Sequence, residues 1–321
     1  MKPNHQLIVI TVLSIIILLV SPWLGLDAFM ATDIKQYILN EIRIPRVLFA
    51  FIAGAGLAVC GMVFQAMFHN PLATPFTLGV ASGASLGAAI YVSLGLSFTI
   101  VGIDGTSLAA FIGALLAISI VYSISHFRHG FSTETLLLTG VAISFFFSSL
   151  ILFTQYLSNI TDSFHIMRWL MGRLNIVGYH DVLQLLPFVT ICIAVILWLG
   201  RELNLLMAGD DIALSRGVSV KRIRYILFFI TSLCVGAIVA LCGPIGFVGM
   251  MVPHICRLLI GNNHYWLTPA TILFGGSFLI VCDTIARLII APAEIPVGVI
   301  TTLLGGPFFL WLLIKSRSRI T

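Results

Sequence analysis

The chain has 321 residues, 59% of them hydrophobic and only 9% charged, with a formal net charge of +5 and a mean hydropathy of +1.10. Soluble domains carry roughly 25% charged residues. This balance therefore excludes a water-soluble globular domain and points to an all-α polytopic membrane protein.

A helix needs about 20 mostly apolar residues to cross the hydrocarbon layer. Ten segments qualify: 7–26, 47–68, 76–97, 107–125, 135–157, 182–200, 225–242, 244–260, 268–290 and 297–314, and eight of them contain no Asp, Glu, Lys or Arg. The first follows Lys2, but its apolar run exceeds the roughly 7–15 residues of a signal-peptide core, so it reads as an uncleaved first span. Ten spans place both termini on one side. With the termini inside, Lys2, Arg128, Arg201, Arg216, Lys221, Arg222, Arg224, Arg257, Lys315, Arg317 and Arg319 are cytoplasmic, and Lys35, Arg43, Arg46, Arg168, Arg173 and Arg287 are outside. That bias of eleven to six favours cytoplasmic termini.

The second span is preceded by RIPR at 43–46 and followed by HNPLATP at 69–75. Pro71 and Pro75 lack backbone donors and push the residue before each out of helical geometry, while the Asn70 side chain can cap the turn. The turn reads either as a capped loop or as a stiff point suited to a gate. Between the fifth and sixth spans, 158–181 contains FHIMRWLMGRL, whose aromatic and basic residues suit a short helix lying at the outer interface. The inner segment 201–224 holds five of the seventeen basic residues, and its GDDIALSRG core predicts a short exposed helix stopped at Gly217. A lipid-headgroup anchor is the alternative reading of that segment. RIPRVLFAFIAG from Arg43 and RIRYILFFITS from Arg222 echo each other weakly, on opposite sides, as in an inverted repeat. No linker marks a second domain, so residues 1–321 form a single transmembrane domain.

Titratable groups in the spans are few. Asp283 and Arg287 lie four apart on one helical face and can neutralise each other; Glu294 is placed to cap the last helix, and Arg257 to snorkel inward. His254 reads as a buried, hydrogen-bonded histidine. All six cysteines fall inside spans without a CxxC pair and read as small buried hydrophobes, so no metal site and no cofactor is expected. Glycine clusters at 54–61, 79–89 and 243–249 allow close helix packing, with a broken helix expected only at 243–249. No GxxxxGK[ST] loop, GxSxG elbow or HExxH pair occurs, so the chain is not expected to be an enzyme. Uphill transport would draw its energy from another polypeptide.

RIPR at 43–46, NPLATP at 70–75 with LGVASGA after it, GPIGFVGMMVPHICRLL at 243–259, and DTIARL followed by AEIPVGVITTLLGGPFFLWLL at 283–313 resemble, in that order, the FecCD-type permeases of ABC importers. The resemblance covers nearly the whole chain. It implies a type II importer architecture of ten helices per subunit, a homodimer with a second permease copy, two ATP-binding subunits, a soluble extracytoplasmic binding protein and a bacterial or archaeal cytoplasmic membrane, with no nucleic-acid partner. By motif, it assigns Arg43, Arg46 and Arg287 to docking of the binding protein, and Asn70, Leu72, Ser132 and Thr133 to a cytoplasmic gate. Gly209, Asp210, Asp211, Ala213, Leu214 and Gly217 correspond to the ATPase-coupling motif, where the family often has Gly-Glu in place of Gly-Asp-Asp. The fifth helix, with Ser144, Ser148, Ser149, Thr154 and Gln155, would line the path. The cargo expected is an iron(III) chelate such as a siderophore, with cobalamin, haem or an oxyanion as alternatives. An ion-coupled carrier, which would need a mid-membrane ion site, and a membrane-embedded enzyme are the competing classes.

Overall fold

The structure, a computed structural model, describes residues 3–26, 32–71, 73–100, 102–129 and 133–317. Its helices are α1 (Pro3–Val20), α2 (Thr32–Tyr37), α3 (Ile44–Phe68), α4 (Val80–Ser93), α5 (Gly105–His129), α6 (Thr133–Leu157), α7 (Ile160–Leu170), α8 (His180–Trp198), α9 (Gly200–Ala208), α10 (Asp210–Ser215), α11 (Val220–Cys242), α12 (Val248–Ile260), α13 (His264–Leu288) and α14 (Val297–Arg317). Two short strands, β1 (Thr99–Ile100) and β2 (Ile103–Asp104), pair antiparallel between α4 and α5.

Each of the ten expected spans coincides with a helix. Seven stretches of the described residues are long and apolar enough to cross a membrane, whereas Val80–Ser93, Val248–Ile260 and Val297–Leu312 are shorter apolar helices. The boundaries move where proline and glycine act. RIPR lies inside a continuous helix, because a π turn at Ile38–Arg43 runs straight into α3 and Pro45 sits in the first turn of α3. A proline there removes a donor that a helix start leaves unbonded anyway, and the widened turn before it absorbs the missing ladder bond. The span expected at 244–260 starts only at Val248, after an extended stretch from Gly243 whose φ is 69°. Phe247 ends that stretch in the left-handed region at φ 66°, a strained setting for a bulky residue.

The centre of the bundle is α3, nearly all of which is buried. It runs antiparallel to α13: Arg46 meets Asp283, Gly54 meets Gly275, and Met62 takes the Thr271 and Thr268 hydroxyls on its sulfur at 3.7 and 3.9 Å. The crossing with α12 is closer still. A Cβ on Gly61 would overlap the Gly249 carbonyl, so only glycine permits this backbone contact. On the other side, α8 and α11 pack against α3, while α4 and α5 pair through Gly83 and Gly113. By contrast, α6 keeps a broad apolar face uncovered, with Leu138, Phe145, Leu152 and Tyr156 all more than 60% exposed.

Candidate functional site

One end of the α3–α13 pair carries a buried ion cluster. Arg46 donates to both Asp283 oxygens, Nε to Oδ2 at 3.0 Å and Nη2 to Oδ1 at 2.8 Å, while its Nη1 reaches Glu294 at 2.9 Å. Arg287 donates from Nε to Asp283 Oδ2 at 3.2 Å. The two cations and two carboxylates balance, as buried charges must. The expected Asp283–Arg287 pair therefore exists, but Arg46 is the stronger partner of Asp283, and Glu294 pairs with Arg46 instead of serving only as a helix cap. The three arginines expected at the docking face thus differ in exposure. Arg46 and Arg287 are each only 6% exposed, and Arg43 alone is half-exposed, donating to the Leu24 and Gly25 carbonyls at 3.3 and 3.2 Å.

Beside the cluster lies a cavity of about 290 Å³ whose charged and polar lining includes Arg46, His165, Arg168, Arg173, Asn175 and Glu294. Arg168, Arg173 and His165 are exposed. They stand on and just after α7, which forms within the expected interfacial segment but starts at Ile160, because the Asn159 side chain caps it by accepting from the Asp162 N–H at 2.8 Å. The loop after α7 is clamped to the break between α11 and α12: the Arg173 N–H donates to the Cys242 carbonyl at 2.6 Å, and Gly172 fits against the Pro244 carbonyl.

Past the last turn of α7 a second cavity, about 340 Å³, is lined by Ala81, Ser82, Ser85, Ser148, Ile151, Leu152, Gln155, Leu170 and Pro244. Its lining is hydroxyl, amide and hydrocarbon, with no formal charge. Of the five expected path residues, Ser148 and Gln155 reach it. Ser144 lies on the same face but bonds the Gly140 carbonyl at 2.8 Å; Ser149 and Thr154 turn their hydroxyls to the Phe145 and Leu150 carbonyls of their own helix. Ser82 and Ser85 of α4 were missed. Their spacing of three within VASGASLG was the available signal.

At the opposite end of α3, His69 adopts the left-handed conformation at φ 49° and its Nε2 lies 2.7 Å from the Leu206 carbonyl of α9. The turn that follows is closed by the Ala73 N–H donating to the Asn70 carbonyl at 3.1 Å. Leu72 and Ser132, expected at the gate, lie outside the described residues; Thr133 opens α6, and its side chain is also outside them. Asn204 of α9 ties the same helix to the start of α13, its Oδ1 accepting from the His264 N–H at 2.8 Å. Of the coupling residues, Asp211, Leu214 and Gly217 are exposed, whereas Ala213 is fully buried and Asp210 is held by Arg224 at 2.8 Å. Ile212, 48% exposed beside Leu214, was overlooked. Arg257 does not snorkel but turns back to α3, donating to Gln65 Oε1 at 2.6 Å. His254 is half-buried, its ring edge-on to Phe308.

A model of the FecCD transport family matches residues 6–315. The chain belongs to the FecCD transport family. It is 37% identical over 288 residues to the hemin transport system permease protein HmuU of Yersinia pestis, covering 89% of this chain and 86% of that one. It is 40% identical over 305 residues to the cobalamin import system permease protein BtuC of Halobacterium salinarum, covering 93% and 81%. A solved inward-facing metal-chelate type ABC transporter superposes with a TM-score of 0.86 at 32% identity, covering 98% of this chain and 100% of that one. This member of the FecCD family is thus a multi-pass permease of the ABC importer class.

Proposed function

We propose that this chain is the ten-span permease subunit of an ATP-driven importer that moves an iron(III) chelate into the cytoplasm, working as a homodimer with two ATPase subunits and an extracytoplasmic binding protein. The observation that carries this reading is the charge-free cavity between α4 and α6. It has hydroxyls and an amide but no fixed ion, which suits a bulky chelate that must pass without being held. The cavity lies against α6, whose uncovered apolar face is where a second copy would complete the wall. The cations of the outer cavity supply the docking charge: Arg168 and Arg173, with Arg43, replace the buried Arg46 and Arg287 in that role. The metal-chelate type transporter that superposes on 98% of this chain supports a metal-chelate cargo, the class to which the haem and cobalamin of the other relatives also belong. The NPL turn is the inner gate, and exposed Asp211, Ile212, Leu214 and Gly217 meet the ATPase.

The test is uptake into proteoliposomes holding the permease with its ATPase subunits and binding protein. Ferric chelate should accumulate only with ATP. Uptake driven by a pH gradient in the absence of the ATPase subunits would refute the proposal.

A further inference from the structure

Three cysteines far apart in sequence meet inside the bundle. The Sγ atoms of Cys60 on α3, Cys192 on α8 and Cys234 on α11 all lie within 4.8 Å of one another, with Cys60 and Cys192 at 3.8 Å. They are 0%, 1% and 1% exposed. The spacing is far longer than a disulfide of about 2.05 Å, and all three thiols are free. A central atom bonded to three sulfurs at about 2.3 Å, the length of a zinc–thiolate bond, sets those sulfurs roughly 3.5–4 Å apart. The triad is already near that arrangement.

Electroneutrality selects the occupant. The ion pairs among the described residues join Arg46, Asp283, Glu294, Arg287, Arg224 and Asp210, so none supplies a cation to the thiols. Outside the cysteines, Cys60 Sγ donates to the Thr231 carbonyl at 3.6 Å. Three thiolates around a monovalent or divalent ion would leave net negative charge in a dry interior, at a cost of several kcal/mol or more. A trivalent metalloid avoids that cost. Its hydroxide enters as a neutral molecule and its tris-thiolate is neutral too.

We propose that Cys60, Cys192 and Cys234 form a binding site for trivalent arsenic or a like thiophilic metalloid. The step is condensation: As(OH)3 and three cysteine thiols give As(S-Cys)3 and three waters. Three As–O and three S–H bonds break, three As–S and three O–H bonds form, and no atom changes oxidation state. The product bridges three helices and pins α3 to α8 and α11.

The assembled transporter, incubated with arsenite and desalted, should retain one arsenic per permease chain by elemental mass spectrometry. Alkylation after denaturation should then find three reactive cysteines in place of the six that are free without arsenite. Cys60→Ala, Cys192→Ala and Cys234→Ala should each reduce retention at least tenfold, while Cys256→Ala and Cys282→Ala should not. Peptide mapping of the unmutated protein gives a readout independent of any folding defect, with arsenic joining the peptides that carry Cys60, Cys192 and Cys234. No retention, retention mapped to other peptides, or stoichiometric copper(I) binding at the triad without arsenite binding would each overturn the assignment.

Discussion

Replacing Asp283 by alanine tests the reading of the buried ion cluster most directly. The carboxylate accepts from Arg46 at 2.8, 3.0 and 3.1 Å and from Arg287 at 3.2 Å, and it is 1% exposed. Removing it leaves Arg46 with Glu294 alone and leaves Arg287, whose Nη1 already lacks a partner, without its carboxylate. Two buried guanidiniums would then face one vacated space. Taking one partner from a buried pair costs about 3–5 kcal/mol, and at about 2–4 °C per kcal/mol the midpoint should fall by roughly 10 °C. Unfolding can be followed in detergent with a thiol-reactive dye, because all six cysteines are buried until the bundle opens. The combined Arg46→Met, Asp283→Leu, Arg287→Met and Glu294→Gln protein removes all four charges together and should recover most of the loss. A midpoint for Asp283→Ala within about 2 °C of the parent, well below the expected shift, would refute the reasoning.

Three further outcomes are expected. Gly61→Leu places a side chain where the Gly249 backbone lies, so the protein should fail to accumulate in membranes, whereas Gly246→Ala, with open space around it, should accumulate normally. Leu214→Arg should abolish copurification of the ATPase subunits while leaving the permease monodisperse on gel filtration, since the side chain is 58% exposed. Arg168→Glu with Arg173→Glu should weaken binding-protein affinity roughly tenfold at low salt, measured by surface plasmon resonance, with a smaller deficit as salt rises.

The apolar helices were legible because a long apolar run needs no tertiary context to be recognised. Their ends were less so: α3 begins three residues early because Pro45 joins the helix, and α12 begins four residues late because residues 243–246 stay out of the helix and Phe247 turns left-handed. The charge of the cluster was visible, but not its pairing, since Arg46 and Asp283 stand 237 residues apart and only packing brings them together. The same holds for Cys60, Cys192 and Cys234, which show no ligand spacing along the chain. The bond from His69 to a backbone carbonyl on α9 likewise leaves no trace in sequence.

The antiparallel α3–α13 pair explains how events at the two faces can be linked without an ionisable relay. One end holds the Arg46–Asp283–Glu294 cluster beside the cationic cavity, and the other is fastened to α9 twice, through His69 to the Leu206 carbonyl and through Asn204 to His264. Between these ends the helices touch backbone to backbone at Gly54 and Gly275, so they cannot slide past each other without a clash. In the proposed importer, a displacement of α9 by the ATPase would therefore move the pair as one body, turning the NPL turn, which follows His69 directly, and the outer cluster together. Rigid-body transmission of this kind requires stiffness along α3 and firm anchoring at both ends, and the ion cluster at one end and the two bonds to α9 at the other supply that anchoring.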